Sequence, residues 1–244
     1  MSLFKNLTTD GVEKSEDRLG GFSVLDSDIY ETTIKAMYAG ESRHGALSVT
    51  LIGDVGGREY RETFYVTNRS KENYYTRDNK KMPLPGFTVV DDICLIATGK
   101  PLADQDTEDK VVNIYDYDQK KEVPTTVPML VEALGQKVAL GILKQLENKN
   151  VQNASGEYEA TEETREINLV DKVFHPELKL TVNEAKEGKE EAKFWDSWSN
   201  RNKGEIRDRR EIKEGQGGAS GRPTKAAPKA GSAPAPTKSL FGNK

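Results

Sequence analysis

The chain has 244 residues, 35% hydrophobic and 31% charged, with a mean hydropathy of −0.72, which suits one folded region beside a solvated remainder. No run approaches the roughly 18–20 apolar residues of a membrane span, and the single cysteine, Cys94, excludes an intrachain disulfide framework. The net charge of −4 is unevenly spread: Lys203–Lys244 holds ten Lys or Arg against four Asp or Glu, a net of +6, which leaves −10 on Met1–Asn202. A basic arm on an acidic body points to an anionic partner, nucleic acid first, the alternative being that the arm folds back onto its own domain.

Residues 1–21 read as a polar leader ending in Gly20-Gly21, without the apolar stretch of a secretory signal. Strand periodicity follows. Tyr30, Thr32, Ile34, Ala36 and Tyr38 alternate onto one face, then Leu47, Val49 and Leu51, then Tyr60, Phe64 and Val66, with Arg61, Thr63 and Tyr65 on the opposite face. Gly53-Asp-Val-Gly-Gly57 reads as the hairpin turn between the second and third strands, which predicts a three-stranded antiparallel meander. An aromatic and basic loop from Arg69 to Pro85 comes next. Thr88 has the look of an N-cap, with Asp91 three residues on and Val89, Ile93 and Ile96 on one helical face before Gly99.

A strand over Val111–Tyr117 and a short helix over Val127–Leu134, stopped by Gly135, are predicted next. Lys137–Gln145 alternates Val138, Leu140 and Ile142, and Arg165–Phe174 supplies another strand; Asn148–Ala160 between them reads as a polar hairpin loop. Thr181-Val-Asn-Glu184 is a capping box opening a charged helix that runs through Phe194, Trp195 and Trp198. From Gly215 the chain is mostly Gly, Pro, Ala, Ser and Lys, a composition that cannot bury enough apolar surface to order itself. The expected architecture is mainly β with a few helices: an OB-like antiparallel barrel over residues 22–202 with a C-terminal helix, followed by a basic, disordered tail over 203–244. A sandwich is the structural competitor.

Nothing in the sequence calls for catalysis, and no cofactor or metal is expected. His44 and His175 lie far apart in turn-like settings, and one cysteine cannot build a zinc site. The glycines at 53, 56 and 57 precede a strand with no Gly-Lys-Ser/Thr, so no phosphate loop forms. Asp91-Asp92 and Asp116-x-Asp118 are the nearest thing to a nuclease cation site; the first pair falls where acids favour a helix's first turn in any case.

The segment from Arg58 to Phe87 carries the binding signal. It interleaves Tyr60, Phe64, Tyr65, Tyr74, Tyr75 and Phe87 with Arg58, Arg61, Arg69, Lys71, Arg77, Lys80 and Lys81. Single-stranded nucleic acid needs that pairing, since cations track phosphates while aromatic faces stack on unpaired bases. Tyr60 and Phe64 belong to the core face, whereas Tyr65 points outward with Arg61. Phe194, Trp195 and Trp198 read as a stripe that staples the last helix to the domain. In the tail, Leu240-Phe241 has no packing reason to be apolar and reads as a short docking motif for a partner protein.

Spaced residues across 22–210 resemble phage-encoded single-stranded DNA-binding proteins of the OB-fold replication type. They are Asp28-Ile-Tyr30, Arg61-Glu-Thr-Phe-Tyr-Val-Thr67, Leu84-Pro-Gly86, Glu166-Ile-Asn168, Lys172-Val-Phe174, Phe194-Trp-Asp-Ser-Trp198 and Lys203-Gly204. The resemblance implies a protein of the infected bacterial cytoplasm that coats single-stranded DNA and recruits replication or recombination proteins through its C-terminus. The best-known members end in an acidic tail with a terminal aromatic; here the tail is basic and Phe241 is followed by Gly-Asn-Lys. A second reading stays open, an interaction protein that binds a host or viral protein through its tail and has no nucleic-acid role.

Overall fold

The computed structural model describes residues 24–116, 119–152 and 158–210. The leader 1–21 and the tail from residue 211, with Leu240 and Phe241, lie outside them. Three strands open the fold: β1 (Asp28–Glu41), β2 (Leu47–Val55) and β3 (Arg58–Tyr65). They form the expected antiparallel meander, with the β2–β3 turn made at Gly56 and Gly57, both at positive φ. Gly53 has another role. A Cβ there would lie 2.4 Å from Thr32 Cγ2, so this glycine lets β2 cross the buried Thr32 of β1. The face expected for β1 is broken by a bulge at Lys35, where Ile34 faces Gly53 but Ala36 faces Ile52. Tyr30 and Ile34 therefore join the main core, while Ala36 and Tyr38 turn into a second cluster.

Beyond β3 the predicted loop contains a hairpin, β4 (Tyr74–Arg77) and β5 (Lys80–Pro83). Asp78 and Asn79 make its two-residue turn with φ of 50° and 58°, the left-handed pair such hairpins need and Asx residues tolerate. Helix α1 (Pro85–Thr98) starts three residues before the expected cap. Pro85 stands at its start with φ preset, and Thr88 donates its hydroxyl back to the Leu84 carbonyl instead of capping. Asp91 and Asp92 thus sit mid-helix, and Gly99 ends the helix in the left-handed conformation.

The expected helix over 127–134 is instead the end of a strand. β6 (Thr107–Asp116) pairs with β7 (Lys121–Leu130) through ten residues, and Met129 bridges to Tyr38 of β1. Only Val131–Ala133 turns, as one 3-10 turn. Cross-strand pairing of Val123, Thr125, Thr126 and Val127 outweighs the local helical spacing. Long strands β8 (Lys137–Gln152) and β9 (Tyr158–Phe174) carry the ladder well into the segment predicted as a loop. After the capping box, made as expected between Thr181 and Glu184, there are two helices and not one: α2 (Val182–Lys186) and α3 (Lys193–Asn202), parted at Gly188 with φ 67°. A short strand, β10 (Ile206–Asp208), then pairs parallel to β8, carrying ordered chain past the expected boundary at residue 202.

The principal strands run β9–β8–β1–β2–β3, with α1 between the third and fourth of the meander-plus-hairpin order, as in the OB-like scheme. The barrel is not closed. Among the described residues β3 and β9 share no backbone pairing; a side chain spans them, Glu62 of β3 accepting from Val170 N of β9 at 2.8 Å. Helix α1 packs beside this gap, contributing the buried Val90, Ile93 and Cys94 to a core with Leu51, Phe64, Leu140, Ile142 and Val173. Burial pushes the Cys94 thiol up to about 12, so it is an inert core residue. Trp198 is core as well, stacked on Gly141 and donating its indole N–H to Asp171 at 2.7 Å.

Gly86 fixes how the helix meets the sheet. A Cβ on it would lie 2.4 Å from the Tyr65 carbonyl oxygen, a backbone atom that cannot swing away. Gly86→Ala is expected to destabilise the fold by about 2 kcal/mol through overpacking, measured as a lower midpoint in chemical unfolding at unchanged slope.

Candidate nucleic-acid interface

Segment 65–86 leaves the domain and returns to the same place. β3 ends at Tyr65, Leu84 N donates to Asn73 O across the hairpin's base at 2.9 Å, and Gly86 comes back onto the Tyr65 carbonyl. Asn68 sets the exit, its Oδ1 accepting from Ser70 N at 2.9 Å and Glu72 N at 3.0 Å. Val66 N donates to Leu47 O, and Leu47 N to Thr67 Oγ1, so the β1–β2 turn with Arg43 and His44 flanks this exit. Lys71 reaches back to Glu41 at 3.4 Å.

Strand alternation then sorts the hairpin. Tyr75, Arg77, Lys80 and Met82 share one face, and Tyr74, Thr76, Lys81 and Pro83 the other. The two tyrosines differ accordingly. Tyr74 is half-buried, donates its hydroxyl to Glu72 at 2.7 Å, and lies under the Lys81 ammonium 4.1 Å from the ring centroid. Those contacts hold Lys81 above its ordinary range and Glu72 below its own. Tyr75 and Met82 stand opposite each other, each 41% exposed, with Arg77 and Lys80 extending the face on the turn side. Tyr65, 56% exposed at the hairpin's foot, supplies a second open ring.

Over residues 69–83 five cations, Arg69, Lys71, Arg77, Lys80 and Lys81, stand against two acids, Glu72 and Asp78. The ion pairs Lys71–Glu41 and Arg77–Asp78 are exposed ones at 3.4 Å and 3.7 Å, of a kind that contributes little and yields to a stronger anion. Among the described residues Arg69 and Lys80 have no carboxylate at ion-pair distance. This is a cationic projection with open rings on an acidic body.

Not every candidate gathers there. Arg61 and Tyr65 share the outer face of β3 with Thr63, Arg61 lying 3.6 Å from Glu59. Arg58 stands at the far end of β3, roughly 23 Å along the strand from Tyr65. It borders a separate cleft of about 550 Å³ with Leu25, Asp26 and Tyr30. Met82 and Arg43 are additions that sequence reading passed over, and His44, read there only as a turn histidine, joins them. The signal for Met82 was available in the Asp78-Asn79 turn, which pairs it with Tyr75.

The other sequence candidates have structural roles. Asp91 accepts from Leu102 N at 2.8 Å, and His175 Nδ1 accepts from Leu178 N at 3.1 Å. Among the described residues no three His, Cys, Asp or Glu side chains come together as a metal site, and no helix is long and apolar enough to cross a membrane. Asp92 borders a cleft of about 310 Å³ between α1, β9 and the last two helices, and burial pushes it up to about 6. No protein-family model, curated protein or solved structure matches the chain.

Proposed function

We propose that the chain is a sequence-nonspecific single-stranded DNA-binding protein that coats and protects unwound DNA during viral replication or recombination, in the cytoplasm of an infected bacterial host. The observation that carries this reading is the Tyr75–Met82 face, open and flanked by Arg77 and Lys80, beside the open ring of Tyr65. Stacking on unpaired bases is indifferent to sequence because every base has a π-face. A duplex keeps its bases stacked on one another and leaves these rings nothing to pair with. The domain's negative charge repels phosphate elsewhere, which confines the contact to the projection and makes the site short. Residues from 211 onward, with Leu240-Phe241, carry recruitment of replication or recombination proteins in this reading.

Fluorescence anisotropy of labelled oligo-dT and a matching duplex, across a salt series, tests it. Binding to the single strand alone is expected, with a log–log salt slope of roughly −2 to −4, since each neutralised phosphate contributes about −0.7 and the projection offers only a handful of cations. No binding at low salt removes the reading and leaves an interaction protein that works through its tail.

A further inference from the structure

β6 is a sheet edge with exposed apolar side chains at its middle. It pairs with β7 on one side; among the described residues no strand lies on its other side. Among the described residues its ten-residue edge is unpaired, and such an edge invites another strand unless charge, proline or a covering segment blunts it; here the charges, Glu108, Asp109, Lys110 and Asp116, flank an apolar middle. Here Val111 is 69% exposed and Tyr115 45% exposed on the same face. On the opposite face Val112 and Ile114 pack only partly against the second core cluster of Tyr38, Ile52, Val127 and Met129.

We propose that the partner of this edge is a second copy of the chain, its β6 pairing antiparallel with the first about a two-fold axis through Asn113. In that register Lys110 stands opposite Asp116 of the other copy, Val111 opposite Tyr115, Val112 opposite Ile114, and Asn113 opposite itself. Both Lys–Asp pairs are opposite charges, both faces match apolar with apolar, and the Val112–Ile114 pairs continue the second core cluster across the axis. Neighbouring registers fail. An axis at Val112 sets Glu108 against Asp116 and Lys110 against Ile114. An axis at Val111 sets Lys110 against Val112, and one at Ile114 sets Asp116 against Val112. The exposed Lys110–Glu108 pair, at 2.7 Å with both side chains about half exposed, gives way at little cost. A seven-residue ladder is a small interface, so the dimer dissociates on dilution.

This proposal does not rest on DNA binding, and its test contains no DNA. The full chain is sedimented over a concentration series as wild type, Lys110→Asp, Asp116→Lys, and an equal mixture of the two variants. The wild type is expected to dimerise with rising concentration. Each variant alone sets like charges opposite and stays monomeric, whereas the mixture restores both opposite-charge pairs and forms a heterodimer. Asp116 also accepts from Gln119 in the β6–β7 turn, so a variant that keeps both charges gives a second readout. Asn113→Cys lies on the axis and is expected to form a reducible disulfide dimer under mild oxidation, Cys94 being buried. A wild type monomeric at every concentration, a mixture no more associated than its components, or an Asn113→Cys chain without the disulfide overturns the proposal.

Discussion

Tyr75→Ala and Tyr65→Ala are each expected to weaken oligo-dT binding by roughly 5- to 150-fold, the range set by about 1–3 kcal/mol for a lost base stack. Both rings are open, and neither hydroxyl holds the fold together, so the domain's unfolding midpoint stays within a degree or two of the wild type. Tyr74→Phe is the matched control. It leaves the ring under Lys81 and removes only the hydroxyl that reaches Glu72, so it changes affinity little. Charge and stacking separate in the salt series. Lys80→Ala is expected to flatten the log–log slope by about 0.7, one phosphate contact, while Tyr75→Ala shifts the line downward and leaves its slope alone.

The second large effect is expected at Glu62, on the inward face of β3. Its carboxylate is half-buried between the facing edges of β3 and β9, with Oε2 accepting from the Tyr60 hydroxyl at 2.5 Å and from Val170 N at 2.8 Å. Glu62→Ala leaves both donors without that acceptor, at a cost of about 3 kcal/mol, which lowers the thermal midpoint by roughly 6–12 °C in a chain of this size. Glu62→Gln keeps an oxygen for both donors and removes the ionisation. Burial pushes Glu62 up to about 7, against the opposing pull of its two hydrogen bonds. A carboxyl that binds its proton more tightly folded than unfolded contributes most below the unfolded pKa. That contribution is lost as pH rises through the folded value. The wild type should therefore lose stability relative to Glu62→Gln between about pH 4.5 and about pH 7 and run parallel above. Urea unfolding of both proteins across that range reads the difference. Parallel curves from pH 4 to 8 would show that Glu62 ionises normally.

Glu62 also marks where the sequence spoke and was passed over. Tyr60, Glu62 and Phe64 lie two apart on the inward face of β3, so the alternation that identifies the strand also turns a carboxylate toward the core. An acid in that place calls for buried donors, and the structure provides them. The meander was legible because Val49, Leu51 and Phe64 alternate over one buried face. The bulge at Lys35 was not, because it depends on which strands flank β1: β8 on its first half, β7 at Tyr38. Val127–Leu134 spaces its apolar residues like a helix, and only a ten-residue ladder with β6 makes it a strand. The β4–β5 hairpin hides for the opposite reason. Nearly all its side chains are exposed, so it has no buried face to generate a period. Its composition announced a binding segment, and its turn alone told which tyrosine would face outward.

Ultraviolet cross-linking of oligo-dT to the full chain, with the attached residues located by peptide mass spectrometry, tests the central claim most directly. Attachment at Tyr65, Tyr75 or Met82, competed away by unlabelled single strand but not by duplex, is the predicted result. Attachment confined to other aromatic residues, such as Phe194 and Trp195 on α3, with none between residues 58 and 83, would contradict it.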